Sequence, residues 1–438
     1  MLRFIHFSDI HFKSPLCNTP DLDPDIAIRD AVLQDLQAQF TTDTKTVDGI
    51  FITGDIAFAG REDEYVAARC WLQEISAELN IPVENIYIVP GNHDVDRLAS
   101  DEFVVKSVRK EIQGQGSFTE RNSAITEALA SGDASKAIFS PMKNYIDFCG
   151  KYKCGISSER PFWQKEIALS EHVELNIRGI TTPLFSNKDD SIGNLLLGAS
   201  QFQFRKRPGY LNVSLMHHPC DWIVDGDDLT DLLSNSVHIQ LFGHKHRARW
   251  DVSDNTLRVS AISLHPDRGE SSYEPGYNII EIEETNVTNT QSHISVKITV
   301  RKLEQETLLF RSRLFSEDKE FISHELKVKI ANTKKTKIQP PPTIETPTAI
   351  SIQSEATPNQ SNKSKCSPLD MREASRLFAK LARSDREKIL IDCQLLRSEE
   401  LNQADIDKQI IGFRRASESN QEELLCRQIL KVRGNNYD

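Results

Sequence analysis

Short apolar runs rich in β-branched residues recur at 2–7, 49–53, 86–89, 173–180, 211–216 and 237–242, and each has the length and pattern of a strand. Further runs at 257–262, 277–283 and 294–301 carry the same signal. Between the first three, the period lengthens. Residues 26–40 and 62–79 read as amphipathic helices, long enough to return the chain parallel to the preceding strand. The pattern predicts a layered α/β domain with a strand-rich later half. Ligands of such sheets collect beyond the carboxyl ends of the strands.

The rhythm breaks at 97–153, where helix-like pieces surround a Gly-rich stretch, Gln113-Gly114-Gln115-Gly116-Ser117. This insertion is expected either to cap the site and select substrates or to cover the sheet elsewhere. From 332 to 367 the chain turns to Lys, Thr, Pro, Ser, Gln and Asn, including Pro340-Pro341-Pro342, and reads as a disordered or extended linker. Helical periodicity returns at 368–438 and predicts a small all-α bundle without clustered His, Asp or Glu. The expected domains are therefore 1–331, with the 97–153 insertion, and 368–438 beyond the linker.

Five segments mostly placed at the ends of apolar runs hold the candidate chemistry: Ser8-Asp9-Ile10-His11, Gly54-Asp55, Gly91-Asn92-His93-Asp94, His217-His218-Pro219 and Gly243-His244-Lys245-His246. Together they offer carboxylates, imidazoles and one amide carbonyl, a donor set that suits a pair of divalent metals. On an extended backbone Asp9 and His11 would point to one side and chelate one ion, and His244 and His246 repeat that spacing. Asp55, with two oxygens, is the natural bridge. Asn92 adds a neutral oxygen that leaves the site cationic enough for phosphate. Two ions about 3.5 to 4 Å apart would clamp a phosphate and bring a bound water's pKa near neutrality. The doublet leaves open which imidazole ligates; His217 is preferred as the first residue past its apolar run, with His218 lining the pocket.

In this order the segments resemble the calcineurin-like metallophosphoesterase family over about residues 1–310. The resemblance implies a four-layer αββα sandwich with the metal pair at one edge. It further implies that Asp9, His11, Asp55 and His246 hold one ion, and Asp55, Asn92, His217 and His244 the other. His93 would stand near the leaving group as the catalytic side chain, with Asp94 as its orienting partner. The segment Ile56-Ala57-Phe58-Ala59-Gly60-Arg61 departs from family members that act on phosphoproteins, which argues against that substrate.

Composition narrows the partners. Apolar residues make up 38% and charged residues 27%, as in ordinary globular chains, and no run approaches the length of a membrane span. The start shows no signal-peptide core, so a cytoplasmic protein is expected. Eight scattered cysteines without Cys-x-x-Cys spacing predict free thiols rather than disulfides or a thiolate zinc site. The net charge is −11; residues 332–367 carry five Lys against two Glu and 368–438 thirteen of each sign, which leaves −14 on the first 331. That balance argues against a broad footprint on duplex nucleic acid.

The expected function is hydrolysis of phosphodiesters. A nuclease acting with a partner comes first, in a setting such as bacterial antiviral defence, which rests on analogy of architecture. Alternatives are a cyclic-nucleotide or other nucleotide phosphodiesterase, and an adaptor whose metal site is not catalytic. Manganese is favoured as the metal, with iron, zinc, nickel and magnesium open. The bundle 368–438 is expected to bind a protein partner or to self-associate. His6 is expected as a hydrogen-bonded core residue and His265 as a group that could approach the site. Arg97, Arg247 and the run Arg205-Lys206-Arg207 are expected in solvent.

Overall fold

The computed structural model describes residues 1–40, 46–253, 255–266, 274–316 and 319–331, then 377–378, 381, 383–396, 405–419 and 421–434. The expected linker at 332–367 and the first part of the bundle, 368–376, lie outside the described residues. The chain forms two compact units, Met1–Gln339 and Pro340–Asp438.

In the first unit, β1 (Leu2–Phe7), β2 (Gly49–Thr53) and β3 (Ile86–Val89) run parallel, with Ile5 opposite Ile50 and Ile52 opposite Ile88. The crossovers are α1 (Ile26–Phe40) and α2 (Glu62–Glu78). Helix α2 starts where Glu64 accepts the backbone N–H groups of Arg61 and Ala59, and Glu62 and Asp63 add negative charge to its first turn. On the other side of β1 the sheet continues antiparallel through β10 (Gly276–Val287) and β11 (Gln291–Glu304), which pairs with β12 (Leu309–Ser312) and β13 (Ile322–Lys329). Ile294, Val296, Ile298 and Val300 of β11 are buried in strict alternation with more exposed residues, the period of a one-sided strand.

The second sheet has the order β4 (Phe162–Ala168), β5 (Glu174–Ile180), β6 (Tyr210–Met216), β7 (Ile239–Phe242), β9 (Thr256–Ser260), β8 (Arg249–Ser253). Its four inner strands are parallel and its two edges antiparallel. Strands β2 and β3 lie against β5 and β6, with Ile52, Ile88, Ile177, Val213 and Leu215 in the core. Helices α1 and α2 cover the first sheet: Asp35 of α1 bonds Tyr277 of β10, and Trp71 of α2 packs 5.3 Å from Phe7. On the second sheet, α8 (Gly226–Ser234) buries Leu229 and Leu233 against Ile180 and Met216. The architecture is the expected αββα sandwich.

The insertion consists of α3 (Arg97–Ser100), α4 (Phe103–Gln113), α5 (Phe118–Ala130), α6 (Gly132–Phe139) and α7 (Lys143–Gly150). Its Gly-rich stretch is the break between α4 and α5, where the Ser117 hydroxyl accepts the Glu120 N–H at 3.3 Å. Helix α7 packs Phe148 on Tyr65 of α2, while Arg109 and Arg121 pair with Asp190 and Asp225 beside the second sheet. The second unit contains α9 (Arg383–Asp392), α10 (Asp405–Glu418) and α11 (Glu422–Gly434), with its own core of Phe378, Ile389, Leu390, Leu395, Leu425 and Ile429.

Candidate metal centre

Parallel strands deliver their carboxyl ends to one rim, and β1, β2, β6 and β7 end immediately before a motif segment, with Pro90 alone between β3 and its own. The loops interlock through backbone bonds. The Asp9 N–H donates to Gly54 O, Ile10 and His11 both donate to Asp55 O, and Gly243 donates to His217 O. Close approach requires glycine here: a Cβ on Gly91 would stand 2.1 Å from Asp55 Oδ1, and Gly54 adopts φ +93°.

One expectation needs correcting. Asp9 and His11 do not share a strand face, because β1 ends at Phe7 and both residues adopt left-handed backbone angles, φ 52° each. His244 and His246 do the same past β7, at φ 68° and 54°, and Asp55 at 53°. Left-handed backbone costs a residue with a Cβ about 1 to 2 kcal/mol, and strain of this kind gathers at functional sites where surrounding structure holds it. The every-other-residue spacing therefore works through paired left-handed turns rather than through the pleat.

Four overlapping groups result, in each of which the donor atoms lie within 4.8 Å of one another: Asp9, His11 and His246; His217, His218 and His244; Asp9, Asp55 and His217; His11, Asp55 and His93. Asp55 lies between the outer two. Its Oδ2 is 3.2 Å from His217 Nε2 and 4.0 Å from His11 Nε2, and its Oδ1 accepts the His93 N–H at 2.8 Å. Asn92 Oδ1 stands 3.2 Å from His217 Nε2 and 3.1 Å from His218 Nε2. All seven expected ligands thus converge on one rim.

The donor set fits cations. Asp9 Oδ1 and His11 Nδ1 are buried without a hydrogen-bond partner, although Asp9 Oδ1 lies 3.3 Å from His246 Nε2. Ligation needs neutral imidazole and ionised carboxylate. Burial pushes His11 and His244 down to about 4 and holds His218 well below the ordinary value, with His217 adding to the shift of His244 and His218. Burial opposes charge on Asp9, but the His246 and His217 imidazoles outweigh it and hold it at about 2. His217 is the exception: against the cost of burial, the Asp55 carboxylate pushes it up to about 9.

The doublet separates by its hydrogen bonds. His217 Nδ1 faces the Thr53 carbonyl at 2.7 Å and must donate to it, so Nε2 is the atom that faces Asp55 and Asn92; it holds a proton in the metal-free ring and would present a lone pair where a cation displaces that proton. His218 Nδ1 faces Thr182 Oγ1 at 2.9 Å, a hydroxyl that already accepts the His218 N–H and has its own hydrogen to give. In that tautomer His218 Nε2–H is aimed at Asn92 Oδ1.

Asp94 corrects a second expectation. Its carboxylate does not meet the His93 ring; the ring's Nδ1 is 2.6 Å from Phe58 O. Asp94 instead accepts from Gly91 N at 2.9 Å, Ala57 N at 2.9 Å, Ile56 N at 3.2 Å and the Tyr65 hydroxyl at 3.0 Å. Even so, burial and the Asp55 charge push it up to about 6. The His93 side chain stands over the first group, its ring 4.8 Å from that of His11.

Two aromatic neighbours were not singled out in the sequence. Phe58, 37% exposed, has its ring 5.1 Å from His93 and the Lys13 ammonium 4.2 Å above it. Trp222 meets His244 edge-on at 4.1 Å. Neither has a spacing that marks it; each is one apolar residue a few positions past a motif. His265 reaches the back of the centre, where its Nδ1 bonds Ile10 O and its backbone N–H bonds Asp9 O. His6 bonds Thr53 Oγ1 inside the sheet. Arg97 and Arg247 are exposed.

An αββα sandwich with overlapping carboxylate and imidazole groups at the rim of its parallel strands defines the metallophosphoesterase class. The chain belongs to the calcineurin-like phosphoesterase family, whose pattern matches residues 2–248. It is 24% identical over 279 residues to the uncharacterised metallophosphoesterase-like protein YydB of Bacillus subtilis (strain 168), covering 60% of this chain and 52% of that protein. The chain thus spans about half the length of this curated relative. Among solved structures, Vps29 of Entamoeba histolytica complexed with zinc is 10% identical, covering 74% of this chain and 99% of that one, with TM-score 0.29. GAP50 of Plasmodium is 11% identical, covering 76% and 90%, with TM-score 0.37. Among the described residues no helix is long and apolar enough to cross a membrane.

Proposed function

We propose that the chain is a metal-dependent phosphodiesterase that acts as a nuclease with a partner, as in bacterial antiviral defence. The observation that carries the hydrolytic reading is the pair of donor groups joined at Asp55, with the His93 ring standing over one of them. Asp9, His11, Asp55 and His246 would hold one divalent cation, and Asp55, Asn92, His217 and His244 the other. Manganese suits this mixed oxygen and nitrogen set. Such a pair, when bound, supplies an activated water and a clamp for the phosphate oxygens.

The protein's own groups do the rest. Phe58 O fixes the His93 ring through Nδ1, which leaves Nε2 as the atom that can exchange a proton with a leaving oxygen. His218 orients the Asn92 amide, and Thr53 O fixes the tautomer of His217. Phe58 and Trp222 offer ring faces and edges beside the centre on which nucleobases stack, and Lys13 puts a cation above one of them. These flanks favour a nucleotide-bearing substrate over a phosphoprotein.

The purified chain is tested with manganese on single-stranded DNA, duplex DNA, RNA, cyclic nucleotides and an aryl phosphodiester. Cleavage of nucleic acid strands is expected; turnover of cyclic nucleotides alone would replace the nuclease with the nucleotide reading. His93→Ala is expected to lower kcat by about 10² to 10⁴, the usual worth of a positioned acid or base, with metal content unchanged. Metal analysis beside the kinetics checks this, and undiminished kcat would remove His93 from the chemistry.

The partner reading rests on the second unit, which has a core of its own. Deleting residues 340–438 should leave aryl diester turnover intact and abolish assembly. Light scattering of both forms decides: an unchanged number of chains per particle, with a binding partner still captured, would assign assembly elsewhere.

A further inference from the structure

Among the described residues, the buried arginines have carboxylate partners, with one exception. Arg3, Arg29, Arg109 and Arg301 pair with Glu281, Asp23, Asp190 and Asp35. Arg178, on β5, is 5% exposed and makes no ion pair among the described residues. Its guanidinium lies between two rings, 4.3 Å from Phe162 and 4.8 Å from Phe204. It donates to Gln164 Oε1 at 2.7 Å and to Gln201 O at 3.2 Å, both neutral, and its Nε is buried without an acceptor. A buried cation without a counter-charge is costly and persists where something offsets the cost.

The surroundings make the deficit worse. Arg178 lines a cavity of about 530 Å³ into which Arg160 and Arg205 also face. Burial first, then the charges of Arg160 and Arg205, push the Arg178 guanidinium down to about 10. The one acid among the described wall residues, Glu166, already accepts from the Tyr210 hydroxyl at 2.8 Å. Next along the chain, Lys206 and Arg207 line a second cavity of about 470 Å³ together with Lys327 and Lys329, with no carboxylate among its described lining residues. The run Arg205-Lys206-Arg207 is thus exposed as expected, yet it joins two cationic cavities. In a chain of net charge −11 this concentration of cations is local and built.

We infer that Arg160, Arg178 and Arg205 form a phosphate-binding pocket distinct from the metal centre, and that its occupant is the backbone of a single nucleic-acid strand. Arginine forks match phosphate oxygens two at a time, and the flanking Phe162 and Phe204 hold the Arg178 fork in one plane. Four residues of chain, about 13 Å when extended, separate Arg178 from Thr182, whose hydroxyl bonds His218 at the metal rim. An extended strand of a few nucleotides covers that distance. The choice of a strand rests on the nuclease reading; the pocket's preference for phosphate does not.

The test uses the full chain with its metals and a phosphorothioate single-stranded oligonucleotide, with inorganic phosphate and a nucleoside monophosphate as competitors. Arg160 and Arg205 are exposed, so the double variant Arg160→Ala/Arg205→Ala should fold normally, as unchanged aryl diester turnover would show. The variant should weaken oligonucleotide binding at least about tenfold and flatten its salt dependence by about 1.4, from roughly 0.7 per lost contact. Arg178→Met should add to the loss. Competition by the monophosphate at strand-like affinity would keep the pocket and make a free nucleotide its occupant. If all three probes bind the double variant as they bind the wild type, the pocket is overturned. Should no nucleic acid be cleaved while the variant still loses oligonucleotide binding, the nuclease reading falls and the pocket stands.

Discussion

Asp55→Asn should abolish turnover, by at least about 10³-fold or 4 kcal/mol of barrier, and reduce bound metal from two ions per chain to one or none. The residue belongs to two of the donor groups, one with His217 and one with His11, and is 1% exposed, with His217 Nε2 at 3.2 Å and His11 Nε2 at 4.0 Å. Asparagine keeps the shape. Its carbonyl oxygen can still accept the His93 N–H that Asp55 Oδ1 accepts at 2.8 Å, so the loop after β3 has no reason to move. What disappears is the charge and the second anionic oxygen. Loss of turnover and of bound metal in a variant that still unfolds cooperatively in chelator would therefore locate the effect in the metals rather than in the fold. A variant that retains two ions and wild-type kcat would sink the assignment of Asp55 as the bridge, and with it the two-ion reading.

Much of this centre was legible because strand ends and ligands coincide in the sequence. The apolar runs ending at Phe7, Thr53, Val89, Met216 and Phe242 are the strands β1, β2, β3, β6 and β7, and each motif follows within two residues. The helix 26–40 was legible to the residue, since its neighbours on both sides are polar or turn-forming. Strands β4 and β8 were not. Both lie at the edges of the second sheet, and β8 is exposed along its whole length, so neither carries the one-sided apolar alternation that marks a strand. The backbone of the ligand loops was also hidden, because the left-handed angles of Asp9, His11, His244 and His246 are imposed by neighbouring loops and not by local sequence. Contacts that cross the fold share that property. Phe58 O reaches His93, Thr182 reaches His218 and Arg178 meets Phe204 only once the chain has folded.

Asp94→Ala should produce the largest loss of stability, about 3 to 5 kcal/mol in the metal-loaded protein, because it strips a buried carboxylate from four donors at once. Those donors belong to three places: the loop after β2 through Ile56 and Ala57, the turn after β3 through Gly91, and helix α2 through Tyr65. Asp94 is thus the pin that holds Asp55 and Asn92 in register, a positioning residue rather than a partner of His93. The charge itself is under pressure. In the metal-free chain Asp55 repels it, and with burial this pushes the Asp94 carboxyl up to about 6. A group whose folded pKa lies above its unfolded value lends stability below the unfolded value and loses it as pH rises through the folded one, so at neutral pH the free chain bears the repulsion. Cations held at Asp55 would relieve it. Urea unfolding at neutral pH should therefore show a smaller penalty for Asp94→Ala in chelator than in manganese, together with metal affinity weakened by about 10- to 100-fold. Equal penalties in the two conditions would mean that Asp94 serves the fold alone, and wild-type metal affinity in the variant would refute its role in positioning Asp55 and Asn92.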